Sequence, residues 1–183
     1  SYAVKRLEDK HSYFIAVTDT SAREEKPFPV LADEIVPDNI GYIRIPFCIE
    51  TEGYIRTVSG NISKQNSPGI KGWIIDLRDN FGGNMWPMIA SAGSLLEAST
   101  QGYFVDADNN ITTWYYENGK AFLDSILLAE NKNCIPAYGR NKIAVLINTQ
   151  TASSGEAMAV LFKGYANAKL FGAPTFGVST GCE

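Results

Sequence analysis

Two adjacent serines stand where an apolar strand pattern gives way to an apolar helix pattern. They are Ser153 and Ser154, in the stretch NTQTASSGEAMAVLF (148–162). Ser153 and Glu156 fit the S-x-x-E capping box, so an ordinary helix N-cap is one interpretation. A nucleophile is the other, because the N–H groups and dipole at a helix start stabilise a developing oxyanion. The stretch leaves both interpretations open, and the second requires a base.

The sequence contains one histidine, His11, and this is the candidate base. Serine is a poor nucleophile unless a neighbouring group accepts its proton. His11 is predicted at the start of a strand, and the nearby Asp9 and Ser12 are candidates for fixing its tautomer and orientation. The alternative is a histidine that only satisfies a structural hydrogen bond.

A pair of glycines, Gly82 and Gly83, ends the stretch DLRDNFGG (76–83) after another apolar strand pattern. Glycine permits positive φ and close approach of the backbone to a ligand, and a helix pattern begins at this point. In parallel sheets, ligands gather at the carboxyl ends of strands. The glycines therefore predict backbone N–H groups that face a bound group. The alternative is a plain strand-to-helix turn with Arg78 and the aspartates in surface ion pairs.

Strand and helix patterns alternate along most of the chain. Apolar or β-branched runs predict strands, and apolar residues at helical spacing predict helices, near 53–66, from Gly83 and from Ser153. The predicted strands are 11–18, 40–47, 71–80, 141–150 and a short one within 168–177. Two β-rich runs around DADNN (106–110) predict a hairpin insertion. This order predicts an α/β domain with a largely parallel sheet and right-handed crossovers. Residues 123–140 read as an insertion or a lid.

Composition narrows the class of protein. The 183 residues are 45% apolar and 20% charged, which is ordinary for one compact domain, 1–183. The net charge of −4 gives no basic surface, so nucleic acid is not expected as a partner. Cys48, Cys134 and Cys182 are too far apart for a CxxC metal site, and at most one pair can form a disulfide. We expect no metal and no cofactor.

No apolar run approaches the roughly 20 residues that span a bilayer, so no stable membrane insertion is expected. The first residues also lack the apolar core of a signal peptide. The chain opens inside a helix pattern and stops after a glycine-rich turn. We therefore expect a domain truncated at both ends of a longer protein.

Taken together, five segments resemble the tail-specific, or C-terminal processing, serine peptidases. In order, they are LEDKHSYF, GYIRIPF, GWIIDLRDNFGG, AVLINTQTASSGEAMA and LFGAPTFGVSTG. The resemblance implies a crotonase-like or ClpP-like α/β fold with Ser153 as nucleophile. It also implies Gly83, with Gly82 beside it, and the backbone N–H of Ser154 as the oxyanion hole. Glu156 would stabilise the turn.

Two departures from the family pattern refine this resemblance. Many members use a lysine as base, but Val178 stands at the matching position here, and neither Lys163 nor Lys169 fills it. The branch similar to the tricorn protease core and the nisin resistance protein uses a histidine, and its D-x-H-S motif matches Asp9, His11 and Ser12. A PDZ domain also does not fit between His11 and the strand that starts at residue 40.

The resemblance implies a serine endopeptidase that acts on a protein or peptide substrate through an acyl-enzyme. It also implies an extracytoplasmic location for the full-length protein. The alternative is a non-catalytic ligand- or peptide-binding module on the same fold, as in the interphotoreceptor retinoid-binding protein. The sequence indicates neither the cleavage preference nor the oligomeric state.

Overall fold

The structure is a computed structural model that describes residues 35–49, 51 and 53–178, all of which belong to one compact unit. Asp9, His11, Ser12 and the predicted strand 11–18 lie outside the described residues, as does Cys182. Whether 1–183 form a single domain stays a prediction.

Eight strands and three α-helices are described, in an order that alternates as the sequence patterns predict. The elements are β1 Ile40–Arg44, α1 Tyr54–Gln65, β2 Gly72–Asp76, α2 Met85–Ala92, β3 Ser99–Val105, β4 Ile111–Glu117, β5 Lys120–Leu123, β6 Ile126–Glu130, β7 Ile143–Ile147, α3 Ser154–Lys163 and β8 Ala168–Gly172. The helix predicted from Gly83 begins two residues later, because Asn84 caps it by accepting the Trp86 N–H at 3.1 Å.

Four parallel strands form the main sheet, in the order β1-β2-β7-β8. The two central strands carry fully buried side chains such as Ile75 and Val145, as expected for a parallel sheet covered on both faces. Helix α1 packs on β1 and α2, while α3 packs on α2, β7 and β8. The predicted α/β class with a largely parallel sheet is confirmed.

An antiparallel meander, β3-β4-β5-β6, forms a second sheet. The hairpin predicted around DADNN is present, with Val105 opposite Ile111. Strand β5 follows, and strand β6 extends the sheet into residues 123–140, which the sequence patterns read as an insertion or a lid. Asn118 and Gly119 connect β4 to β5, both with positive φ (49° and 84°), as a type I′ turn requires. Trp114 and Tyr116 join the meander to the core.

Among the described residues, no helix has both the length and the apolar character that crossing a membrane requires.

Candidate active site

The two turns singled out in the sequence follow adjacent parallel strands, so they lie at the same edge of the sheet. Strands β2 and β7 pair up to Asp76 and Leu146, and a glycine turn (77–83) follows the first while a serine turn (148–153) follows the second. Thr151 Oγ1 donates to the Leu77 carbonyl oxygen at 2.9 Å. The Ala152 N–H donates to the Asn80 carbonyl oxygen, also at 2.9 Å. Parallel pairing and these bonds bring the predicted serines and glycines together.

A reciprocal pair of hydrogen bonds also joins the two turns. The Asp79 N–H donates to Asn148 Oδ1 at 3.1 Å, and Asn148 Nδ2 donates to Asp79 Oδ1 at 2.8 Å. Asp79 has a φ of 59°, a left-handed conformation that aspartate tolerates better than most residues. The relative position of the turns is therefore fixed by side chains as well as by the sheet.

Ser153 has an unusual backbone conformation, with φ 51° and ψ −123°. An ordinary N-cap residue lies in the β region, whereas this combination costs on the order of 1–3 kcal/mol and persists only where its surroundings enforce it. Here the Ser153 N–H donates to the Val178 carbonyl oxygen at 2.8 Å and to Glu156 Oε2 at 3.2 Å. The capping box predicted from the sequence is present, but on a strained serine.

Glu156 anchors the segment 175–178 to the start of α3. Its buried carboxylate accepts hydrogen bonds from Thr175 Oγ1 (2.6 Å), the Gly177 N–H (2.9 Å) and the Val178 N–H (2.7 Å), in addition to the Ser153 N–H. Four donors thus occupy the two oxygens of this carboxylate. The geometry fits a residue that stabilises the turn. Val178, which stands where the family pattern of the sequence resemblance has a lysine, is buried in the same arrangement.

The two glycines have different hydrogen-bond partners. The Gly82 N–H donates to Asn80 Oδ1 at 2.9 Å, and the Gly82 carbonyl oxygen accepts from the Cys48 N–H at 3.0 Å. Of the hydrogen bonds recorded between described residues, none uses the N–H of Gly83 or of Ser154. Both of these N–H groups are therefore available to an oxyanion, while that of Gly82, which the sequence placed beside them, is occupied.

Gly82 instead provides close approach to the serine. Its φ is 114°, and a Cβ at this position would lie 2.7 Å from Ser153 Cβ and 3.1 Å from both Ser153 Oγ and the Ser154 nitrogen. Any larger residue would push into the nucleophile candidate. The Ser154 hydroxyl donates to the Gly83 carbonyl oxygen, so this side chain joins the residues that carry the two available N–H groups.

The aspartate that pairs with Arg78 is Asp76, which is not at the surface as the alternative interpretation expects, whereas Asp79 pairs with Arg44 at 3.5 Å. Asp76 is completely buried and accepts from Arg78 Nη2 at 2.7 Å, Arg78 Nε at 2.9 Å and Tyr42 Oη at 2.7 Å. Burial raises the pKa of Asp76, but the hydrogen bonds from Arg78 and Tyr42 together outweigh it and hold the pKa below its ordinary value. This ion pair, buried on the Asp76 side only, stiffens the base of the glycine turn.

An apolar pair of rings lies next to the glycines. Phe81 immediately precedes Gly82, is 52% exposed and stacks on Phe47, with ring centroids 4.1 Å apart. Such a surface offers an apolar contact to a chain bound at the glycine turn.

Sequence reasoning missed the structural roles of Asp76, Asn80 and Asn148. The available signal was their position, since Asp76 ends strand β2, Asn148 directly follows strand β7 and Asn80 ends the predicted strand 71–80. The structure brings together Ser153, Ser154, Gly82, Gly83 and Glu156, whereas Asp9, His11 and Ser12 lie outside its description. Within 35–49, 51 and 53–178, no cluster of three or more His, Cys, Asp or Glu side chains could hold a metal ion.

The chain is similar to several known proteins. The family model described as "Peptidase family S41" matches residues 39–182. The Nisin-resistance protein of Lactococcus lactis subsp. lactis is 29% identical over 184 residues, which cover 97% of this chain and 55% of that protein. Carboxy-terminal processing protease CtpA of Bacillus subtilis (strain 168) is 30% identical over 158 residues, covering 86% of this chain and 30% of that protein.

A solved lipoprotein structure from Streptococcus agalactiae superimposes with a TM-score of 0.58 and 31% identity, covering 78% of this chain and 49% of that one. The chain thus spans from about a third to about half of the length of these three relatives.

Proposed function

Because the chain belongs to peptidase family S41, we propose that the protein containing it hydrolyses peptide bonds as a serine peptidase. Ser153 is the nucleophile in this proposal and His11 is the general base. One observation carries it: a serine held in a strained conformation at a helix start stands beside two N–H groups, of Gly83 and Ser154, that no described residue accepts. Such a site stabilises negative charge on an oxygen next to a nucleophile.

The proposed reaction is acyl transfer. Ser153 Oγ attacks the peptide carbonyl carbon as His11 takes its proton, and the carbonyl oxygen becomes an oxyanion that accepts hydrogen bonds from Gly83 and Ser154. Collapse of this intermediate breaks the C–N bond, and His11 returns the proton to the departing amine. Water then attacks the acyl-enzyme with the same base and releases Ser153. Asp9 and Ser12 are the proposed orienting partners of His11.

We also propose a substrate class and a cellular location for the full-length protein. The names Nisin-resistance protein and Carboxy-terminal processing protease support a protein or peptide substrate. Cleavage within the substrate chain, as by an endopeptidase, is proposed from the resemblance seen in the sequence. An extracytoplasmic location of the full-length protein follows from the resemblance seen in the sequence. Oligomeric state does not enter the proposal.

A fluorophosphonate probe followed by mass spectrometry tests the nucleophile in the full-length protein. We expect one adduct on Ser153, none in Ser153→Ala, and retained labelling of Ser153 in the matched control Ser154→Ala. The proposal fails if wild-type protein that cleaves peptides carries no adduct on Ser153, or if the adduct lies on Ser154. Reversible binding of an apolar ligand without any labelling would favour the binding-module alternative.

A second variant tests the base. His11→Ala should abolish proteolysis while the thermal unfolding transition stays close to that of the wild type, because serine requires a proton acceptor. Full activity in this variant would show that His11 is not the base, and a lysine would then be the candidate.

A further inference from the structure

We propose that Asn80 is a positioning residue that sets the separation and direction of the two oxyanion donors, an inference that rests on the proposed function. Asn80 is completely buried and follows strand β2 by four residues. It touches neither the nucleophile's hydroxyl nor the donors themselves in any recorded hydrogen bond. Its effect on catalysis therefore passes through the backbone that it holds.

One side chain and one carbonyl of Asn80 connect three segments of the chain. Its Oδ1 accepts the Gly82 N–H at 2.9 Å, and its Nδ2 donates to the carbonyl oxygens of Ile45 (3.0 Å) and Pro46 (3.3 Å), just beyond β1. Its own carbonyl oxygen accepts the Ala152 N–H at 2.9 Å in the serine turn. Asn80 is thus bonded to the glycine turn, to the chain after β1 and to the serine turn at once.

The Gly83 N–H belongs to the peptide that directly follows the one held by the Asn80 side chain. Gly83 pairs with Cys48 in a parallel bridge made by its neighbours: the Cys48 N–H donates to Gly82 O at 3.0 Å and the Asn84 N–H to Cys48 O at 2.8 Å. In such a bridge the N–H and C=O of the central residue face away from the partner. The Ser154 hydroxyl meets Gly83 on that other side. The bond from Cys48 to Gly82 O therefore directs Gly83 away from Cys48 and toward Ser154, and the bond from Gly82 to Asn80 fixes the peptide that immediately precedes it.

Asn80 also lies against Gly155, the residue next to the second donor, Ser154. A Cβ on Gly155 would lie 2.2 Å from the Asn80 carbonyl oxygen and 3.0 Å from Asn80 Cγ, so the first turn of α3 rests directly on Asn80. A displacement of this side chain would shift the helix start that carries the Ser154 N–H. Contacts with one buried residue, Asn80, therefore hold the backbone next to both donors.

Oxyanion donors act by being in place before the charge develops, within about 2.7–3.1 Å of the oxyanion position. A misplacement of about 1 Å can cost on the order of 100-fold in rate. Because the ground-state substrate gains little from these donors, loss of the Asn80 amide should lower kcat far more than it raises KM.

Two substitutions separate positioning from stability in the full-length protein. Asn80→Leu removes acceptor and donor while keeping the number and branching of the side-chain heavy atoms. Asn80→Asp keeps an oxygen for the Gly82 N–H but places a carboxylate oxygen against the carbonyls of Ile45 and Pro46. The recorded hydrogen-bond partners of the Asn80 side chain are backbone groups and the Met88 sulfur, none of which titrates. The matched control is Asn131→Leu, since Asn131 is also a buried amide, 6% exposed, in the loop after β6.

We expect Asn80→Leu to lower kcat by roughly 10- to 100-fold with KM changed by less than about threefold. The affinity for a peptide aldehyde, whose adduct with Ser153 carries an oxyanion, should fall by the same factor as kcat/KM. In Asn80→Asp the ratio of its kcat to that of the wild type should rise as pH is lowered, because the protonated carboxyl regains a donor. Asn131→Leu should leave kcat and aldehyde affinity unchanged.

The proposal is overturned if folded Asn80→Leu keeps the wild-type kcat and aldehyde affinity, or if Asn131→Leu loses as much of both. It is also overturned if kcat of Asn80→Asp, relative to wild type, is flat with pH. Failure of the proposed function has a different signature, namely no fluorophosphonate adduct on Ser153 in the wild type. With Ser153 labelled in the wild type, the outcome reports on Asn80 alone.

Discussion

Gly83→Ala is the substitution for which the structure predicts the largest loss of activity with the smallest chemical change. Gly83 has a φ of 99°, and a Cβ there would lie 2.1 Å from the Cys48 carbonyl oxygen and 2.7 Å from the Cys48 carbonyl carbon. Both atoms belong to the backbone, so no side-chain rotation relieves the clash. Either the Cys48 segment or the glycine turn must move by about 1 Å to reach an ordinary contact distance.

The expected loss follows from this displacement. Moving the Gly83 N–H removes one of two proposed oxyanion donors, and loss of one donor costs about 2.7–4 kcal/mol of transition-state stabilisation, or roughly 10²- to 10³-fold in kcat. KM should change much less, because the ground-state carbonyl depends little on these bonds. Strain at positive φ adds a loss of about 1–3 kcal/mol in the free energy of unfolding.

The assay is steady-state kinetics on a peptide substrate with the full-length protein, together with thermal unfolding. Gly60→Ala is the matched control, since Gly60 lies inside helix α1 and a Cβ added to it would have no neighbouring atom within 4 Å. This control should keep wild-type kinetics and gain about 0.5–1 kcal/mol of stability, because alanine is the better helix residue. A folded Gly83→Ala protein with kcat within about threefold of the wild type would refute the donor assignment.

Three further substitutions test other parts of the site. Glu156→Gln should lower the free energy of unfolding by about 2 kcal/mol in chemical denaturation, because an amide N–H₂ would then face N–H donors such as that of Val178. Since the folded pKa of Asp76 is lowered, its contribution to stability is present above the unfolded pKa of about 3.9 and is lost as pH falls below it. Denaturation at several pH values should show this loss, and Asp76→Asn should flatten it; an unchanged slope would contradict the shift. Phe81→Ala should raise KM for peptides with an apolar side chain near the cleaved bond, while Tyr103→Ala, which removes a 59% exposed ring from the meander, should not. Equal KM values in both variants would exclude Phe81 from substrate contact.

The type I′ turn at Asn118 and Gly119 shows how a local signal can be overlooked. An Asn-Gly pair between β-rich runs is a strong hairpin signal, because both residues accept positive φ. The sequence therefore contained the turn between β4 and β5. Strands β5 and β6 are harder to predict, since the largely exposed side chains of β6 give no clear alternation between core and solvent.

The sequence by itself determined the order of the parallel strands and of the three helices, the α/β class and the candidates for the site. Apolar periodicity and turn chemistry act over a few residues, so Ser153, Gly82, Gly83 and Glu156 could be singled out from their immediate neighbours. The resemblance to a peptidase family also depended only on motifs and their order. His11 remains a prediction of the sequence alone.

The tertiary structure decided which backbone N–H groups can bind an oxyanion and which charged side chains are buried. Gly82 and Gly83 are equivalent in the sequence, but the Gly82 N–H bonds to Asn80 while no hydrogen bond recorded between described residues uses that of Gly83. Likewise, the sequence pattern allows Asp76 to be a surface charge, whereas in the structure it is buried and pairs with Arg78. The physical reason is that parallel pairing of β2 with β7 brings together turns some seventy residues apart, and hydrogen bonds between such turns leave no local pattern in the sequence.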